Sequence, residues 1–451
     1  MLKNRDIIKG VSRSDSFFVC DKSAERSFFG KRRRVTAFCK ITLHSIGGVF
    51  LNKKISLGIC ISLIVMSIAA TFSITMVVSK NIYNKIIGNI SQRSQMYASV
   101  DEINQIISNN FYGTVQDSNL LSASLSEGYI NGLGDSASRY MTSEEYSEYT
   151  LRLEGGVTGI GIETAYDYQN NKFVVTHVYE GSPAETAGLK KDDVITAVGN
   201  VTVNRNNYRT LSESFYGNIL SSVAVEYERD GTTKTVEPLL GFSMPSVIGR
   251  LEGDVGYIRI SGFYKNTASE FKEEIKKLTE LGAESFVFDV RNTSDGTIDY
   301  AAKVIDVIVP AISGNIAVAT DKNGEVYKDK HYTAESSSVN KPVAVLINGA
   351  TAGPAELFAC DLRDISQATL VGTKTAGVGT MQELFALESG GAILLTVALV
   401  EPKSGADAVY DGKGVEPSVN VTLISGDDAN IALLTPEQDN QLTTAINMLA
   451  Q

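Results

Sequence analysis

Residues 343–382 read VAVLINGATAGPAELFACDLRDISQATLVGTKTAGVGTMQ, and this stretch decides the fold of the domain around it. Its first five residues, Val343 to Ile347, form an uninterrupted apolar run that predicts a buried strand. Asn348-Gly349 predicts a sharp turn. A helix is expected from about Pro354 to Asp364, because proline is favoured in a first helical turn. A second strand is expected from Ala368 to Val371. A strand, a tight turn and a helix in this order are typical of an α/β sheet that carries a nucleophile at its edge.

The same stretch resembles the active-site segment of the carboxyl-terminal processing peptidases, which are tail-specific serine peptidases with a Ser-Lys dyad. The family pattern reads approximately N-E-G-S-A-S-A-S-E and then G-x-K-T-x-G-K-G-x-x-Q. The matching positions are Asn348, Ala352, Glu356, Gly372, Lys374, Thr375, Gly377, Gly379 and Gln382. By this resemblance the nucleophilic serine falls on Gly353 and the general-base lysine falls on Val378. The glutamine that orients the lysine in the family is kept as Gln382.

Both positions that would react lack the necessary chemistry. A Ser-Lys peptidase needs an oxygen nucleophile and a nearby amine that can be neutral at the working pH. Gly353 has no side chain with which to attack, and Val378 cannot accept a proton. Loss of one member of such a unit costs nearly as much rate as loss of the whole unit. The sequence therefore predicts a catalytically degenerate member of the family, in which no catalytic residue pair is intact.

A third catalytic element also departs from the family pattern. Residues 289–296, DVRNTSDG, resemble the family block D-L-R-N-N-P-G-G, whose glycine backbone helps to form the oxyanion hole. Here Ser294 replaces the proline and Asp295 replaces the first glycine, while Gly296 is retained. An oxyanion hole stabilises negative charge with aimed N–H donors, so a carboxylate pointing into this turn would oppose that charge.

Two alternatives remain open at the level of sequence. The first is an active serine-type endopeptidase that cleaves C-terminal tails through displaced residues, of which Thr351 and Lys374 are the best candidates. Both residues match positions that the family already has beside its dyad, so their presence needs no new role. A Ser-His-Asp triad has less support, because only His177 and His331 follow the apolar segment and neither lies in a recognisable triad block. The second alternative is a structural, oligomer-forming paralogue.

Residues 154–243 resemble a PDZ domain. The resemblance rests on the glycine loop TGIGIE at 158–163 together with EGSPAETAGL at 180–189. Backbone N–H groups of such a loop can converge on the terminal carboxylate of a peptide, and the peptide then adds as a strand to an open sheet edge. The predicted peptide-binding residues are Gly159, Ile160, Gly161 and Ile162.

The N-terminal region predicts a membrane anchor. Residues 1–54 contain 13 Lys and Arg against 4 Asp and Glu, which gives a basic tail of net charge +9. The whole chain has a net charge of −11, so the residues after this tail carry a net charge of −20. Residues 55–78 contain no charged residue, and 24 such positions are enough for a helix that spans a bilayer. This segment is too long and begins too far along the chain for a typical signal peptide. Because Lys53 and Lys54 precede it, the positive-inside rule predicts a cytoplasmic N-terminus and extracytoplasmic main domains in a single-pass protein of the cell membrane.

The remaining segments complete an α/β architecture. Residues 79–153 predict helices, and GLGDSASRYMTSEEY within them resembles a family block that implies pairing of two subunits. Residues 244–425 alternate strands and helices, which favours a layered α/β domain. By resemblance this domain has the crotonase-like fold of the tail-specific peptidases, with the PDZ domain inserted before it. Residues 426–451 are expected to end the chain in a helix, which is capped at Thr435-Pro436 and runs to Leu449.

The expected partners follow from these patterns. Peptide or protein C-termini are the expected ligands, and an active protease is a further candidate partner. Cys360 is the sole cysteine after the predicted anchor, so neither a disulfide framework nor a thiol metal cluster is expected there. No phosphate-binding glycine loop is evident, which predicts no cofactor and no metal. The basic tail has no aromatic or helical organisation, which argues against nucleic-acid binding.

Overall fold

The structure, a computed structural model, describes residues 57–113, 118–155, 158–217, 221–311, 314–335, 339–405, 409–424, 428–435 and 438–450. The predicted basic tail and the first two residues of the predicted anchor lie outside these described residues. The chain divides into two compact units, Met1–Thr114 and Val115–Gln451. The PDZ-like and α/β regions both belong to the second unit.

Helices and strands alternate along most of the second unit. The helices are α1 (Leu57–Asn110), α2 (Ser118–Asn131), α3 (Ser143–Leu153), α4 (Pro183–Thr186), α5 (Tyr208–Glu213), α6 (Thr267–Glu280), α7 (Ile298–Ile308), α8 (Pro354–Ser366) and α9 (Asn440–Leu449), with a 3-10 helix at Asp428–Leu433. The strands are β1 (Arg139–Met141), β2 (Thr158–Gly159), β3 (Ile162–Asp167), β4 (Lys172–Val178), β5 (Val194–Val198), β6 (Val201–Thr202), β7 (Val225–Arg229), β8 (Thr232–Val236), β9 (Phe242–Ser243), β10 (Val247–Glu252), β11 (Val255–Ile260), β12 (Ser285–Asp289), β13 (Asn315–Thr320), β14 (Val326–Thr333), β15 (Val343–Ile347), β16 (Thr369–Gly372), β17 (Thr380–Ala386), β18 (Ala392–Pro402) and β19 (Val419–Asn420).

The first unit is dominated by α1, a single helix of 54 residues. It covers most of the predicted anchor and continues without a break into the predicted helical region. In the described part of the chain, no helix has both the length and the apolar character needed to cross a membrane. The predicted transmembrane helix is therefore not supported by the structure.

The PDZ-like region forms a sheet with the strand order β3-β4-β5-β7-β8, and β6 pairs with β5. All of these pairs are antiparallel. Its core contains aliphatic and aromatic side chains such as Ile160, Ile162, Phe173 and Phe215. The strand β3 pairs only with β4 within this sheet, so its other edge lies at the border of the sheet.

The α/β region contains two sheets. The first has the order β10-β11-β12-β15-β16-β19, in which β10 is antiparallel to β11 and the other neighbours are parallel. Residues of α6, α7 and α8 pack on one face of this sheet, and α9 packs on the other. The second sheet has the order β1-β18-β13-β14, and β17 also pairs with β18. The layered α/β core places the ends of β12 and β15 beside each other, where the candidate site is found.

The C-terminal helix is shorter than predicted. It begins at Asn440 rather than near Thr435, because Asp439 is its N-cap and accepts a hydrogen bond from the N–H of Leu442 at 3.0 Å. The predicted C-terminal segment also contains the 3-10 helix before this cap, so a single helix does not describe it.

Candidate active site

The turn between β15 and α8 keeps the backbone of a nucleophile position but has no side chain there. Gly353 has φ +57° and ψ −116°, a region that glycine adopts far more easily than other residues. Such a strained turn between a strand and a helix is the geometry that exposes a nucleophile. Apart from chain neighbours, no heavy atom of the described residues lies within 4 Å of the point where a Cβ would stand. Consequently no hydroxyl or amine from another described segment occupies that point.

A buried carboxylate, Glu356, joins the two predicted catalytic positions. Its Oε2 accepts hydrogen bonds from the N–H of Gly353 at 3.0 Å and from the N–H of Val378 at 2.7 Å. Its Oε1 accepts the N–H of Gly377 at 2.7 Å and the hydroxyl of Thr375. Glu356 is fully buried. The structure therefore brings the serine and lysine positions of the motif together on one carboxylate, although the residues that occupy them are glycine and valine.

Gln382 lies on β17, on the other side of this loop. Its Nε2 donates to the hydroxyl of Thr380 at 2.8 Å and to the hydroxyl of Thr396 at 3.3 Å. In the family this glutamine orients the lysine, whereas here its amide contacts threonine hydroxyls. The residue is thus retained with a local hydrogen-bonding role on the hairpin.

At the oxyanion turn, residues 289–296, the carboxylate of Asp295 bonds the backbone of the turn itself. Oδ1 of Asp295 accepts the N–H of Gly296 at 2.9 Å, so the donor that the motif would offer to an oxyanion is already bonded. Oδ2 of the same carboxylate accepts hydrogen bonds from Arg152 at 3.1 Å and from the hydroxyl of Tyr264 at 3.0 Å. Burial and the nearby charge of Asp295 raise the pKa of Tyr264, which keeps its hydroxyl protonated as a donor. These contacts hold the carboxylate at the turn.

Pro354 removes a second donor, which the motif comparison did not reveal. In a nucleophile turn of this kind, the N–H of the residue after the nucleophile contributes to the oxyanion hole. Proline has no backbone N–H, and it occupies the first position of α8 directly after Gly353. The signal was visible in the sequence as a proline in the family's alanine position.

The two turns are tied together by buried polar contacts. Oδ1 of Asn348 accepts the N–H of Asn292 at 3.0 Å, and its Nδ2 donates to Oδ1 of Asn292 at 2.8 Å. The N–H of Ala352 donates to the carbonyl of Thr293 at 3.0 Å. The oxyanion turn and the nucleophile turn are therefore adjacent, as the peptidase arrangement requires.

Thr351 and Lys374, the candidates for displaced catalytic residues, both have hydrogen-bond or ion-pair partners in the structure. The hydroxyl of Thr351 is fully buried, donates to the carbonyl of Val290 at 2.9 Å and accepts the N–H of Asn348 at 3.0 Å. Nζ of Lys374 lies 2.8 Å from Oε1 of Glu416, with half of the lysine side chain exposed. A threonine bonded to the backbone and a lysine paired at the surface do not form a nucleophile and a base.

A cleft of about 600 Å³ adjoins the oxyanion turn. It is lined by Thr297, which follows Gly296, and by side chains of α7 and β14. This volume is within the range of ligand pockets in general. Gly353 and Val378 do not line the cleft, so it offers room for a ligand beside the emptied catalytic positions rather than around them.

The PDZ-like loop is only partly free to bind a carboxylate. The N–H of Ile160 donates to the carbonyl of Phe215 at 2.9 Å, so this predicted donor is already used. Gly161 has φ +86°, and a Cβ on it would lie 2.2 Å from Cβ of Ser182. Gly159 is equally confined, since its Cβ would lie 2.6 Å from the carbonyl oxygen of Phe215. Ile162 is buried in the domain core. The described hydrogen bonds leave the N–H of Gly161 available at the turn.

Several ionisable groups near the site are buried. Burial raises the pKa of Asp361, whose Oδ2 has no hydrogen-bond partner among the described residues. Burial likewise raises the pKa of the Cys360 thiol, which makes that cysteine a poor nucleophile. In the described segments, no three His, Cys, Asp or Glu side chains converge as a metal site.

Comparison with known proteins identifies the class of protein first. Residues 254–421 match the model of peptidase family S41, and residues 156–240 match the model of the PDZ domain. The crystal structure of an S41 protease from Bacteroides fragilis NCTC 9343 covers 76% of this chain and 91% of its own, with 17% identity and a TM-score of 0.53. This similarity supports the fold, which is that of an S41 peptidase with a PDZ domain.

Curated relatives narrow the class to a family. The chain is 27% identical over 364 residues to the "Probable CtpA-like serine protease" of Staphylococcus aureus (strain COL), an alignment that covers 80% of this chain and 72% of that protein. The protein of the same description from Staphylococcus saprophyticus is 27% identical over 335 residues, covering 74% of this chain and 67% of its own. The chain is thus similar to the CtpA-type, C-terminal processing peptidases, which confirms the resemblance found in its motifs.

Proposed function

We propose that this CtpA-type protein binds the C-termini of peptides or proteins without hydrolysing them. The observation that carries the proposal is the pair Gly353 and Val378, held by one carboxylate in positions where the family has serine and lysine. The oxyanion turn supports the proposal independently, because Asp295 occupies the N–H of Gly296 and Pro354 lacks an N–H. Peptide binding is then the part of the family's activity that needs none of these groups.

A hydrolysis assay tests the absence of proteolysis. The full chain is incubated with an unfolded protein and with tailed peptides, and the products are measured by mass spectrometry. We expect no cleavage above that of a matched Gly353→Ala sample. Cleavage that disappears in Thr351→Ala or Lys374→Ala would establish the displaced-residue enzyme instead.

A binding assay tests recognition of C-termini. Peptides with a free C-terminus are compared with the same peptides carrying a C-terminal amide, which removes the negative charge that the glycine loop would contact. We expect binding of the free forms and a large loss of affinity on amidation. Equal absence of binding by both forms would favour a structural, oligomer-forming paralogue.

Membrane attachment and regulation of a partner protease are further parts of the proposal. The proposal of an anchor rests on the uncharged stretch 55–78 of the sequence. Fractionation of cells that express the full chain or a chain lacking residues 1–78 tests it, and the anchor predicts loss from the membrane fraction only for the shorter chain. Co-purification with an active protease or with a second copy of the chain would identify the partner.

A further inference from the structure

The groove beside β3 has two structurally different ends. At one end lies the glycine loop, whose Ile160 N–H is bonded to Phe215, just after α5. At the other end Tyr166 of β3 stacks on Tyr208, the first residue of α5, with ring centroids 4.2 Å apart and planes 18° apart. The hydroxyls of Tyr168 and Tyr208 are also 3.0 Å apart, so these aromatic contacts, here called the aromatic wall, link the end of β3 to the start of α5.

The spacing between these ends limits how much of a peptide fits between them. Ile162 and Tyr166 are four residues apart on β3, which corresponds to about 13 Å at roughly 3.3 Å per residue. An extended peptide that adds to the edge of β3 has the same rise per residue. With its carboxylate at the glycine loop, a peptide therefore places about four C-terminal residues before the wall, and its preceding residues pass over the wall.

Two arginines flank the wall. The guanidinium of Arg205 lies 5.9 Å from the ring centroid of Tyr168, and Nε of Arg209 donates to the hydroxyl of Tyr208 at 3.1 Å. Both arginines are exposed, and neither forms an ion pair with a carboxylate of the described residues. The chain after residue 54 carries a net charge of −20, whereas these two arginines bring positive charge to this end of the groove, where Asp167 at the end of β3 is the nearby carboxylate.

We infer that the PDZ groove selects peptide tails that carry acidic side chains just upstream of their last four residues. This inference rests on the proposed binding of C-termini and adds the class of peptide. An arginine guanidinium recognises a carboxylate with paired, charge-assisted hydrogen bonds. A peptide carboxylate beyond the wall meets Arg205 and Arg209, whereas a lysine or arginine in the same place is repelled.

Fluorescence anisotropy with the full chain tests the inference. Labelled peptides of about ten residues share their last four residues and carry acidic, neutral or basic residues immediately before them, each with a free or an amidated C-terminus. We expect the acidic free peptide to bind about fivefold to tenfold more tightly than the basic one. This preference should fall as the salt concentration is raised from about 0.05 M to 0.5 M.

Matched variants distinguish recognition from unfolding. Arg205→Gln combined with Arg209→Gln should remove the charge preference, so that the acidic, neutral and basic peptides bind with similar affinity, and the corresponding double change to Glu should reverse the preference. Lys234→Gln on β8 removes an exposed positive charge elsewhere in the same domain and should leave the preference intact. Carboxylate-dependent binding without any charge preference overturns this inference alone. Equal binding or no binding of free and amidated peptides overturns the proposed function and this inference with it.

Discussion

Four residues at the candidate active site each remove a different catalytic element. Gly353 lacks the nucleophile and Val378 lacks the base, as the motif comparison predicted. Pro354 lacks a backbone donor, and Asp295 bonds the N–H of Gly296. Because such elements act as a unit, restoring some of them while others are missing gains little rate.

Stepwise reversion should therefore give a strongly non-additive result. Gly353→Ser with Val378→Lys alone is expected to leave tailed-peptide hydrolysis within about tenfold of background, because both oxyanion donors remain unavailable. Adding Asp295→Gly and Pro354→Ala should raise the rate by about 10²-fold or more, the usual worth of an oxyanion donor. The measurement is the initial rate of peptide cleavage followed by mass spectrometry.

The controls for this series are the two partial sets. Asp295→Gly with Pro354→Ala, without serine and lysine, should remain inactive, since donors without a nucleophile cannot cleave a peptide. Substantial turnover by the Ser/Lys pair alone would show that the oxyanion turn is competent as it stands.

Asp361 makes stability depend on pH in an identifiable direction. Its pKa is raised by burial, so its contribution is fully present below the pKa of about 4 in the unfolded chain and is lost as pH rises toward the folded-state value. Asp361→Asn should therefore stabilise the protein by about 1–3 kcal/mol at neutral pH and flatten the pH dependence. Urea unfolding at several pH values measures this, with exposed Glu388→Gln on the loop after β17 as the control. A larger effect at acidic pH than at neutral pH would contradict the prediction.

At the scale of secondary structure, the sequence predicted the strands and helices that have a clear signal in neighbouring residues. The apolar run of β15 has the predicted bounds, and α8 begins at its predicted proline. The second sheet was not predicted, because β1 and β13 pair with β18 across distant segments, whereas β17 and β18 form a local hairpin. Most residues of β17 and β18 are only partly buried, whereas all residues of β12 and β15 are buried. In the same way, the start of α9 at Asn440 depends on a partner far away in sequence.

That partner is Arg291, which ties α9 to the central sheet. Its guanidinium bonds the carboxylate of Asp439 at 3.0 and 2.8 Å and the carboxylate of Asp289 on β12. Burial raises the pKa of Asp289, but the charge and hydrogen bonds of Arg291 outweigh burial and hold this pKa below its usual value. Its contribution to stability is therefore present above a pH of about 4 and is lost as the pH falls through the folded-state pKa.

Substitution of Asp439 should separate its role as the N-cap of α9 from its ion pair with Arg291. Asp439→Asn keeps a capping oxygen but loses the charge that pairs with Arg291, whereas Asp439→Ala loses both. We expect destabilisation by about 2 kcal/mol for the first and about 3 kcal/mol for the second, of which about 1 kcal/mol is the cap. Chemical denaturation measures both values. Equal losses in the two variants would mean that the cap contributes nothing.

At the scale of the whole molecule, the family and its domains were predictable from sequence, whereas the contacts within the site were not. A motif identifies which residues occupy positions 353 and 378, but not that both N–H groups share one oxygen of Glu356. Likewise, the sequence predicted that Asp295 would oppose an oxyanion if it pointed inward. Only the structure shows that its carboxylate bonds Gly296, because the direction of that side chain is determined by Arg152 and Tyr264 from other segments.

The PDZ domain is joined to the α/β core by a salt bridge between Glu163 of β3 and Arg259 of β11. Tyr179 also donates to Oε1 of Glu163 at 2.8 Å. Burial raises the pKa of Glu163, but Arg259 and Tyr179 outweigh burial and lower it. Because this link lies on the strand to which a peptide would add, it connects the proposed groove to the core.

Arg259→Met should leave Glu163 without its cation at this interface. We expect destabilisation by about 1–3 kcal/mol, less than for a fully buried pair because 28% of the arginine side chain and 18% of the glutamate side chain are exposed. Amide hydrogen exchange should accelerate in β3 more than in β15. Adding Glu163→Gln should recover part of the loss, and failure of this double variant to recover any would assign the effect to lost packing of the arginine stem.

The hydrogen bonds of Glu356 have a consequence for the history of this chain. Three of its four donors are backbone amides and the fourth is the hydroxyl of Thr375, so none belongs to a side chain at position 353 or 378. A change of side chain at either position therefore leaves these four hydrogen bonds available, although any residue with a Cβ at 353 has to adopt the backbone angles that glycine adopts most easily. The frame around the two positions can thus outlast a change of the residues that it holds.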